Sequence, residues 1–351
     1  MYGTPVLQVF DGEDVTGLGD DAARAGFIPD LDQYEEVILL NSGGKDSVCA
    51  LLYLLELGVP AAKIESHHHL VDGDKDQFIE WPITRDYCRK LAAAVGVRHV
   101  ESWREGGFRR EMLRQDAQTA PVAVPMPDGT HKLVGGDRSG FSTRMRFPQQ
   151  SANLSVRWCS ASLKIDVGAR YFTTNPRFQD GKKRLVVSGE RAEESPCRAH
   201  YQVFEPSRSD NRGGPKVDRY LDHWRAVHGF SEARVWAMLQ RHRVTAHPSY
   251  HLGLGRASCS RCVFAGDNQI STLRFLDPVG HREFADYERV FGSTIHRSQS
   301  IDERADRGQV LPGALTDWGR VAMSEVFDLP IFSDPWVRPV GAMSGENAGP
   351  T

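Results

Sequence analysis

The chain has 351 residues, of which 40% are hydrophobic and 25% charged, and its formal net charge is −3. This composition predicts a globular protein of one large or two modest domains, and it argues against a polycation that coats nucleic acid. No apolar run reaches the roughly 18 to 20 residues that span a bilayer. Residues 1–21 contain no basic residue, which argues against a secretory signal, and six cysteines are too few for a disulfide scaffold. We therefore expect a cytoplasmic protein with no membrane partner.

Short apolar runs alternate with helical patterns after an N-terminal arm, residues 1–33, that shows no firm pattern. Apolar residues at i, i+3, i+4 and i+7 mark the helices, and short apolar runs mark the strands. The predicted elements are a strand at 36–40, a helix over 48–55, a strand from about 64, a helix over 84–95 and a strand over 97–101. This order predicts a parallel α/β sheet, which we place in a main domain over residues 34–270.

Residues 103–157 interrupt this order with many Pro, Gly and Arg residues, and with nine basic against five acidic side chains. They predict a basic insertion over the carboxyl edge of the sheet. Three arginines and two aromatic residues there fit either a basic lid over phosphates or a groove for nucleic acid. These residues are Arg144, Arg146, Arg157, Phe141 and Phe147.

The pattern resumes after the insertion. The predicted elements are a helix over 161–171, a strand over 184–188, a polar loop at 207–216, a helix that begins after an N-cap at Ser231, and helical residues at 271–291. Residues 271–351 predict a small C-terminal helical extension, and its last dozen residues are expected to be disordered.

The loop between the first strand and the first helix is glycine-rich and reads Ser-Gly-Gly-Lys-Asp-Ser. Its glycines let backbone N–H groups converge on an anion, the helix N-terminus adds partial positive charge, and Lys45 adds a full charge. The spacing is neither that of a Walker A loop nor that of the Rossmann fingerprint. An ordinary strand-to-helix turn is the alternative. The expected phosphate-binding loop consists of Ser42, Gly43, Gly44, Lys45, Asp46 and Ser47.

This loop resembles the signature of the PP-loop ATP pyrophosphatases, in the adenine nucleotide alpha-hydrolase-like superfamily. The resemblance implies a doubly wound parallel sheet with helices on both faces, and an adenine nucleotide that reacts at its α-phosphate. Its adenine would lie near residues 65–70. Three later segments are similar to motifs of the phosphoadenylyl-sulfate (PAPS) reductase-like family, near its DNA-phosphorothioation sulfurtransferase branch. These segments are Arg157–Lys164, Ser188–Ser195 and His247–Cys262.

Charged residues in these segments are candidates for contacts with the nucleotide. Basic side chains at the carboxyl ends of strands can neutralise a triphosphate or a phosphosulfate, although each also fits a surface ion pair. These candidates are Arg157, Lys164 and Arg191. Carboxylates nearby can hold Mg²⁺ together with phosphate oxygens, or they can orient an arginine. These candidates are Glu190, Glu193 and Glu194, beside Gly189.

Cysteine and histidine residues suggest further ligands. Cys259-Ser-Arg-Cys262 has the spacing of zinc and iron–sulfur sites, and the resemblance implies Cys159 as a third ligand. Cluster-binding relatives carry two adjacent cysteines there, whereas this chain has Trp158-Cys159 and one more residue before the lysine. Cys197 or an exogenous sulfide would then complete a four-iron cluster, and a zinc site or metal-free thiols are the alternatives. Consecutive histidines at 67–69 point alternately on a strand and predict an edge of the nucleotide pocket instead of a metal site.

The expected function is ATP-dependent sulfur transfer, in which a substrate is adenylylated before sulfur is delivered. Four residues carry this chemistry in the prediction: Lys45, Cys159, Lys164 and Arg191. The acceptor is a nucleic acid or a small molecule, and a sulfur donor or a modification-complex protein is the expected partner. PAPS or adenylyl-sulfate reduction is an alternative, but the chain lacks a cysteine after Cys262 to attack the sulfate. The second alternative is a nucleotide-binding subunit of a DNA-modification or defence complex that does not turn over ATP by itself.

Overall fold

The computed structural model describes residues 27–137 and 139–344. Most of the predicted N-terminal arm and the end of the predicted disordered tail therefore lie outside the described residues. Within them, helices flank a single eight-stranded sheet, which confirms the α/β class. No helix in residues 27–137 or 139–344 is long and apolar enough to cross a membrane.

The strands belong to one mixed sheet. In chain order they are β1 (Glu36–Leu40), β2 (Ile64–Leu70), β3 (Arg98–Arg104), β4 (Val122–Pro125), β5 (His131–Val134), β6 (Asp180–Ser188), β7 (Phe204–Pro206) and β8 (Asp218–Arg225). Across the sheet they follow the order β5-β4-β3-β2-β1-β6-β8-β7. The first three strands match the predicted positions within a few residues.

Helices connect and cover the strands. They are α1 (Lys45–Glu56), α2 (Thr84–Ala94), α3 (Gly107–Met112), α4 (Trp158–Ser160), α5 (Asp166–Thr174), α6 (Pro196–Ala199), α7 (Glu232–Arg241), α8 (Pro248–Leu252), α9 (Asp267–Leu276), α10 (Pro278–Phe291), α11 (Ile301–Arg307) and α12 (Asp317–Ala322). A π-helical turn joins α4 to α5. Ser231 caps α7 as predicted, because its side chain accepts a hydrogen bond from the Arg234 amide.

Alternate residues of β1 bury opposite faces of the sheet. Val37 and Leu39 pack in the apolar core with residues of α1, α2 and α7, whereas Ile38 packs with residues of α5. Helices therefore cover both faces. The C-terminal helix α12 contributes Val321 and Ala322 to the same core as β1, so this part of the predicted extension packs directly on the sheet domain.

The central strands are parallel. β1 pairs in parallel with β2 on one side and with β6 on the other, and the pairs β2–β3 and β6–β8 are parallel too. The expectation of a wholly parallel sheet is wrong at the edges, where β4, β5 and β7 run antiparallel to their neighbours. The five-residue connection between β4 and β5 allows an antiparallel hairpin, whereas a parallel pair needs a long crossover. The β4–β5 hairpin lies inside the predicted insertion and extends the sheet.

The strand order reverses at β1. The chain runs from β1 outward through β2 and β3, and it later returns to the other side of β1 through β6 and β8. In open α/β sheets, ligands bind in the crevice beyond the carboxyl ends of the strands at such a reversal. The loops that follow β1 and β6 flank this crevice. They carry the predicted phosphate-binding loop, Ser42–Ser47, and the Ser188–Ser195 motif.

Candidate functional site

The loop after β1 is held in shape by its own side chains. Asn41 precedes the loop, and its side-chain oxygen accepts hydrogen bonds from the Gly43 amide at 2.9 Å and from the Ser47 hydroxyl at 3.1 Å. Gly43 has a φ of +74°, and a Cβ there would lie 3.0 Å from the Cys88 sulfur. A glycine is therefore required at this position. Asn41 was not among the predicted site residues.

Lys45 and Arg191 converge on Asp46. The Lys45 ammonium lies 3.2 Å from one Asp46 oxygen, and the Arg191 Nε lies 2.5 Å from the other. Both basic side chains are almost completely buried. Burial alone would raise the pKa of Asp46, but the two cations lower it, so this carboxylate is ionised. A buried group of three charged side chains thus connects the Ser42–Ser47 loop to the Ser188–Ser195 motif.

The loop after β6 passes directly over the first turn of α1. A Cβ on Gly189 would lie 2.7 Å from both the Asp46 carbonyl carbon and the Ser47 amide nitrogen. Real Cβ atoms essentially never approach so closely, so only glycine fits unless the backbone shifts. Gly189 therefore sets the distance between the two loops that flank the crevice.

The His247–Cys262 motif packs on the Ser42–Ser47 loop. The Tyr250 hydroxyl accepts a hydrogen bond from the Lys45 amide at 2.9 Å, and the Lys45 ammonium lies 3.5 Å from the Gly255 carbonyl oxygen. The His247 ring lies beside Gly43, where a Cβ would be 3.6 Å from its Cδ2. Three segments more than 40 residues apart in the chain therefore meet at the N-terminus of α1.

The three predicted carboxylates beside Gly189 pair with arginines. Glu190 accepts from Arg225 at 2.8 Å, and Glu193 accepts from Arg191 at 2.9 Å. Glu194 accepts from the Arg191 amide at 2.7 Å and closes a capping box. These side chains were predicted either to hold Mg²⁺ or to orient an arginine, and their contacts match the second role.

Lys164 lies among the predicted cysteine ligands. Its side chain is exposed, and the neighbouring Cys259 thiol, followed by Glu80, Cys159 and Cys262, raises the pKa of Lys164. Burial raises the pKa of Cys159 and of Cys259, and the neighbouring Cys262 raises both pKa values as well. The three cysteines pack against one apolar cluster. The structure therefore brings the second half of the Arg157–Lys164 motif to the Cys-x-x-Cys segment.

Two further predicted residues lie elsewhere around this group. Cys197 is exposed on α6, which packs on the 192–194 turn. The Arg157 guanidinium lies 5.7 Å from the centre of the Phe264 ring. In the part of the chain that the structure describes, no three His, Cys, Asp or Glu side chains converge as a metal-binding group. Thiols are ligands that iron and zinc prefer, so the chemistry of Cys159, Cys259 and Cys262 fits either metal. Cys197 is exposed, whereas these three pack against the apolar cluster.

The three histidines of β2 alternate as predicted. His67 and His69 pack edge to face, with ring centres 4.6 Å apart, on the face that carries Tyr171. His68 points to the other face, where its Nδ1 donates to the Asn41 carbonyl oxygen at 2.8 Å. Burial lowers the pKa of His68 to about 4, so the ring is neutral at physiological pH. Its buried Nε2 has no hydrogen-bond partner in the described residues.

Comparison with known proteins gives no family assignment. No protein-family model matches this sequence, and no curated protein is significantly similar to it.

Proposed function

We propose that this chain is a PP-loop enzyme of the PAPS reductase-like family that binds ATP, adenylylates a substrate and transfers sulfur to it. The meeting of three separate motifs at the N-terminus of α1 carries this proposal. Tyr250 holds the Lys45 amide, and Arg191 holds the Asp46 carboxylate. The meeting point lies at the reversal of strand order, which is where α/β sheets bind ligands.

The Ser42–Ser47 loop would receive the phosphates of ATP. The N-terminus of α1 and the loop amides favour an anion, and Lys45 supplies a full positive charge beside them. Asp46 is ionised between two cations and would support Mg²⁺ together with phosphate oxygens. A substrate oxygen would attack the α-phosphorus, form a new P–O bond and release pyrophosphate. Positive charge from Lys45 and Mg²⁺ would stabilise the charge that develops as the P–O bond to pyrophosphate breaks.

Sulfur would enter from the side of Lys164. Cys159, Cys259 and Cys262 would hold an iron–sulfur cluster or, as the second choice, zinc, because all three pack against one apolar cluster and act on the pKa of this lysine. A cluster bound by these cysteines would supply sulfur at the sulfide level. A sulfur nucleophile from a sulfide-class donor would then form a bond to the activated atom and displace AMP. The exposed Lys164 ammonium is suited to hold the negative charge of the departing AMP.

Analysis of nucleotide products tests this proposal. Anaerobically purified protein is incubated with Mg²⁺ and ATP labelled at the α-phosphate. We expect AMP and pyrophosphate, because water takes the place of the absent substrate and attacks the α-phosphorus. Lys45→Met should abolish their formation, whereas Lys182→Met, a matched change on the exposed end of β6, should not. Release of ADP and phosphate would contradict the reaction at the α-phosphate. ATP binding without turnover would contradict the enzyme and favour a nucleotide-binding subunit that acts only with a partner.

A further inference from the structure

Two arginines face a single buried carboxylate of α3, inside the predicted insertion. Arg144 Nη2 and Arg114 Nη1 lie 3.5 Å and 3.7 Å from the same oxygen of Glu111, which is 1% exposed at its side chain. The Arg144 amide donates to the Arg114 carbonyl at 2.7 Å, so these two residues lie side by side. With neighbouring Arg104 and Arg146, they form what we call the arginine cluster.

Donors in the arginine cluster lack acceptors. Arg114 Nε and Arg144 Nη1 are buried and have no hydrogen-bond partner among the described residues. Both side chains are nearly covered, with 10% and 13% of their surface exposed. Arg157, which immediately precedes Trp158, also has two buried nitrogens without a partner. The Glu111 oxygen that faces Arg114 and Arg144 is also buried without a hydrogen bond among the described residues. Buried polar groups in native proteins are normally hydrogen-bonded, and one acceptor cannot satisfy all of these donors, so they indicate a further acceptor.

The charges of the cluster do not balance. Arg104 pairs with Asp166, and Glu111 faces both Arg114 and Arg144. Two carboxylates therefore serve the three covered guanidinium groups, and the exposed Arg146 adds a fourth positive charge. Burial, together with the neighbouring arginines, lowers the pKa of Arg144 to about 10, although Glu111 acts to raise it. Unpaired buried charge is costly, and a bound anion would remove that cost.

The cluster lies against the segment that carries Cys159 and Lys164. Arg104 Nε donates to the Ser162 carbonyl oxygen at 3.0 Å, within the π-helical turn. The Arg144 guanidinium lies 4.3 Å from the centre of the Trp158 ring. An anion held here would therefore lie beside the residues that we assign to sulfur transfer. It would be separate from the Ser42–Ser47 loop, which follows a different strand.

The surface next to the cluster differs from the predicted groove. Phe147 is buried in a stack with Phe284, so it cannot contact nucleic acid. Phe141 is 71% exposed and lies three residues from Arg144, which places it at most about 11 Å away along the chain. Arg146 is exposed as well. An accessible aromatic ring and a free basic side chain thus accompany the buried donors.

We propose that the arginine cluster is a second phosphate-binding site, distinct from the Ser42–Ser47 loop. Guanidinium groups match phosphate oxygens through paired, charge-assisted hydrogen bonds, which would satisfy the donors without partners. The phosphate group would belong either to a free phosphate compound or to a nucleic-acid backbone. In the second case, Phe141 would stack on a base.

Titration of the full-length protein tests the site. The probes are inorganic phosphate and a single-stranded oligothymidylate, each at fixed ionic strength. Arg144→Gln should weaken phosphate binding about tenfold or more, because it removes hydrogen bonds to a charged group. Arg146→Gln, an exposed change that spares folding, should weaken it severalfold. Arg289→Gln removes the same charge from a side chain that is 72% exposed on α10, and it should bind as the wild type does.

The two probes identify the source of the phosphate. Binding of phosphate alone would indicate a small phosphate compound. A nucleic-acid backbone would be indicated if the protein binds the oligonucleotide and Phe141→Ala weakens that binding. In Arg144→Gln, the slope of log affinity against log salt concentration should then become shallower by about 0.7.

Other results would overturn the assignment. Equal affinities in the Arg144, Arg146 and Arg289 variants, or no binding of either probe, would contradict a phosphate site at the cluster. Phosphate binding that disappears in Lys45→Met and persists in Arg144→Gln would place the anion on the Ser42–Ser47 loop. Failure of ATP turnover would leave these outcomes unchanged, so the two proposals fail separately.

Discussion

Replacement of Gly189 by alanine tests the close approach that joins the two loops of the crevice. The new Cβ would lie 2.7 Å from backbone atoms of both Asp46 and Ser47, where no flexible side chain can move aside. Either the loop after β6 or the first turn of α1 must shift. Overpacking of this kind costs about 1 to 3 kcal/mol. For a chain of this size, that cost corresponds to a fall in Tm of roughly 1 to 4 °C.

The same strain should weaken ATP binding. If about 1.4 kcal/mol of it is relieved by displacement of the first turn of α1, the affinity for ATP falls about tenfold. Calorimetric titration with Mg²⁺ and ATP measures this, and thermal unfolding measures the change in Tm. Gly140→Ala is the matched control, because a Cβ there would meet nothing within 4 Å. If Gly189→Ala matched Gly140→Ala in both Tm and affinity, the reasoning about this contact would be refuted.

Three further substitutions address other parts of the site. Tyr250→Phe removes the acceptor of the Lys45 amide, so urea denaturation should show a free energy of unfolding lower by about 1 to 3 kcal/mol, and an unchanged value would count against the contact. Burial lowers the pKa of His68 to about 4, so the unfolded chain takes up the proton first and stability should fall as pH drops from 6.5 towards 4. His68→Gln should flatten that loss in acid-unfolding curves, and an identical curve would contradict it. Cys259→Ser should remove iron or zinc from anaerobically purified protein while Cys197→Ser retains it, and equal metal content in the two would contradict the ligand assignment.

Local patterns predicted much of the fold. The apolar run of β1, the glycine loop and the periodicity of α1 are encoded within some 20 residues, so their positions could be predicted closely. β8 was missed because four of the eight residues in Asp218–Arg225 are charged and the segment carries no apolar run. The antiparallel edges were missed because strand direction depends on long-range pairing, which a single sequence does not display.

The site was predicted in its members but not in its contacts. The residue types of the three motifs identified Lys45, Asp46 and Arg191, yet nothing in the sequence shows that Asp46 neutralises both cations. The support from Tyr250 spans 205 residues and was equally invisible. Asn41 carries a local signal that could have been used, since an Asn before a glycine pair often bonds to the backbone two residues on.

Titration of the anaerobically purified protein with Mg²⁺ and ATP, and separately with phosphoadenylyl sulfate, tests whether the loop at the N-terminus of α1 binds ATP for adenylylation. We predict that ATP binds there at one site, preferentially over the sulfonucleotide, and that Lys45→Met abolishes the binding. ATP at about 100 times its Kd should also stabilise the fold by roughly 2.7 kcal/mol. Preference for phosphoadenylyl sulfate would contradict adenylylation and favour a reductase. Binding of neither nucleotide would contradict a nucleotide site at the N-terminus of α1.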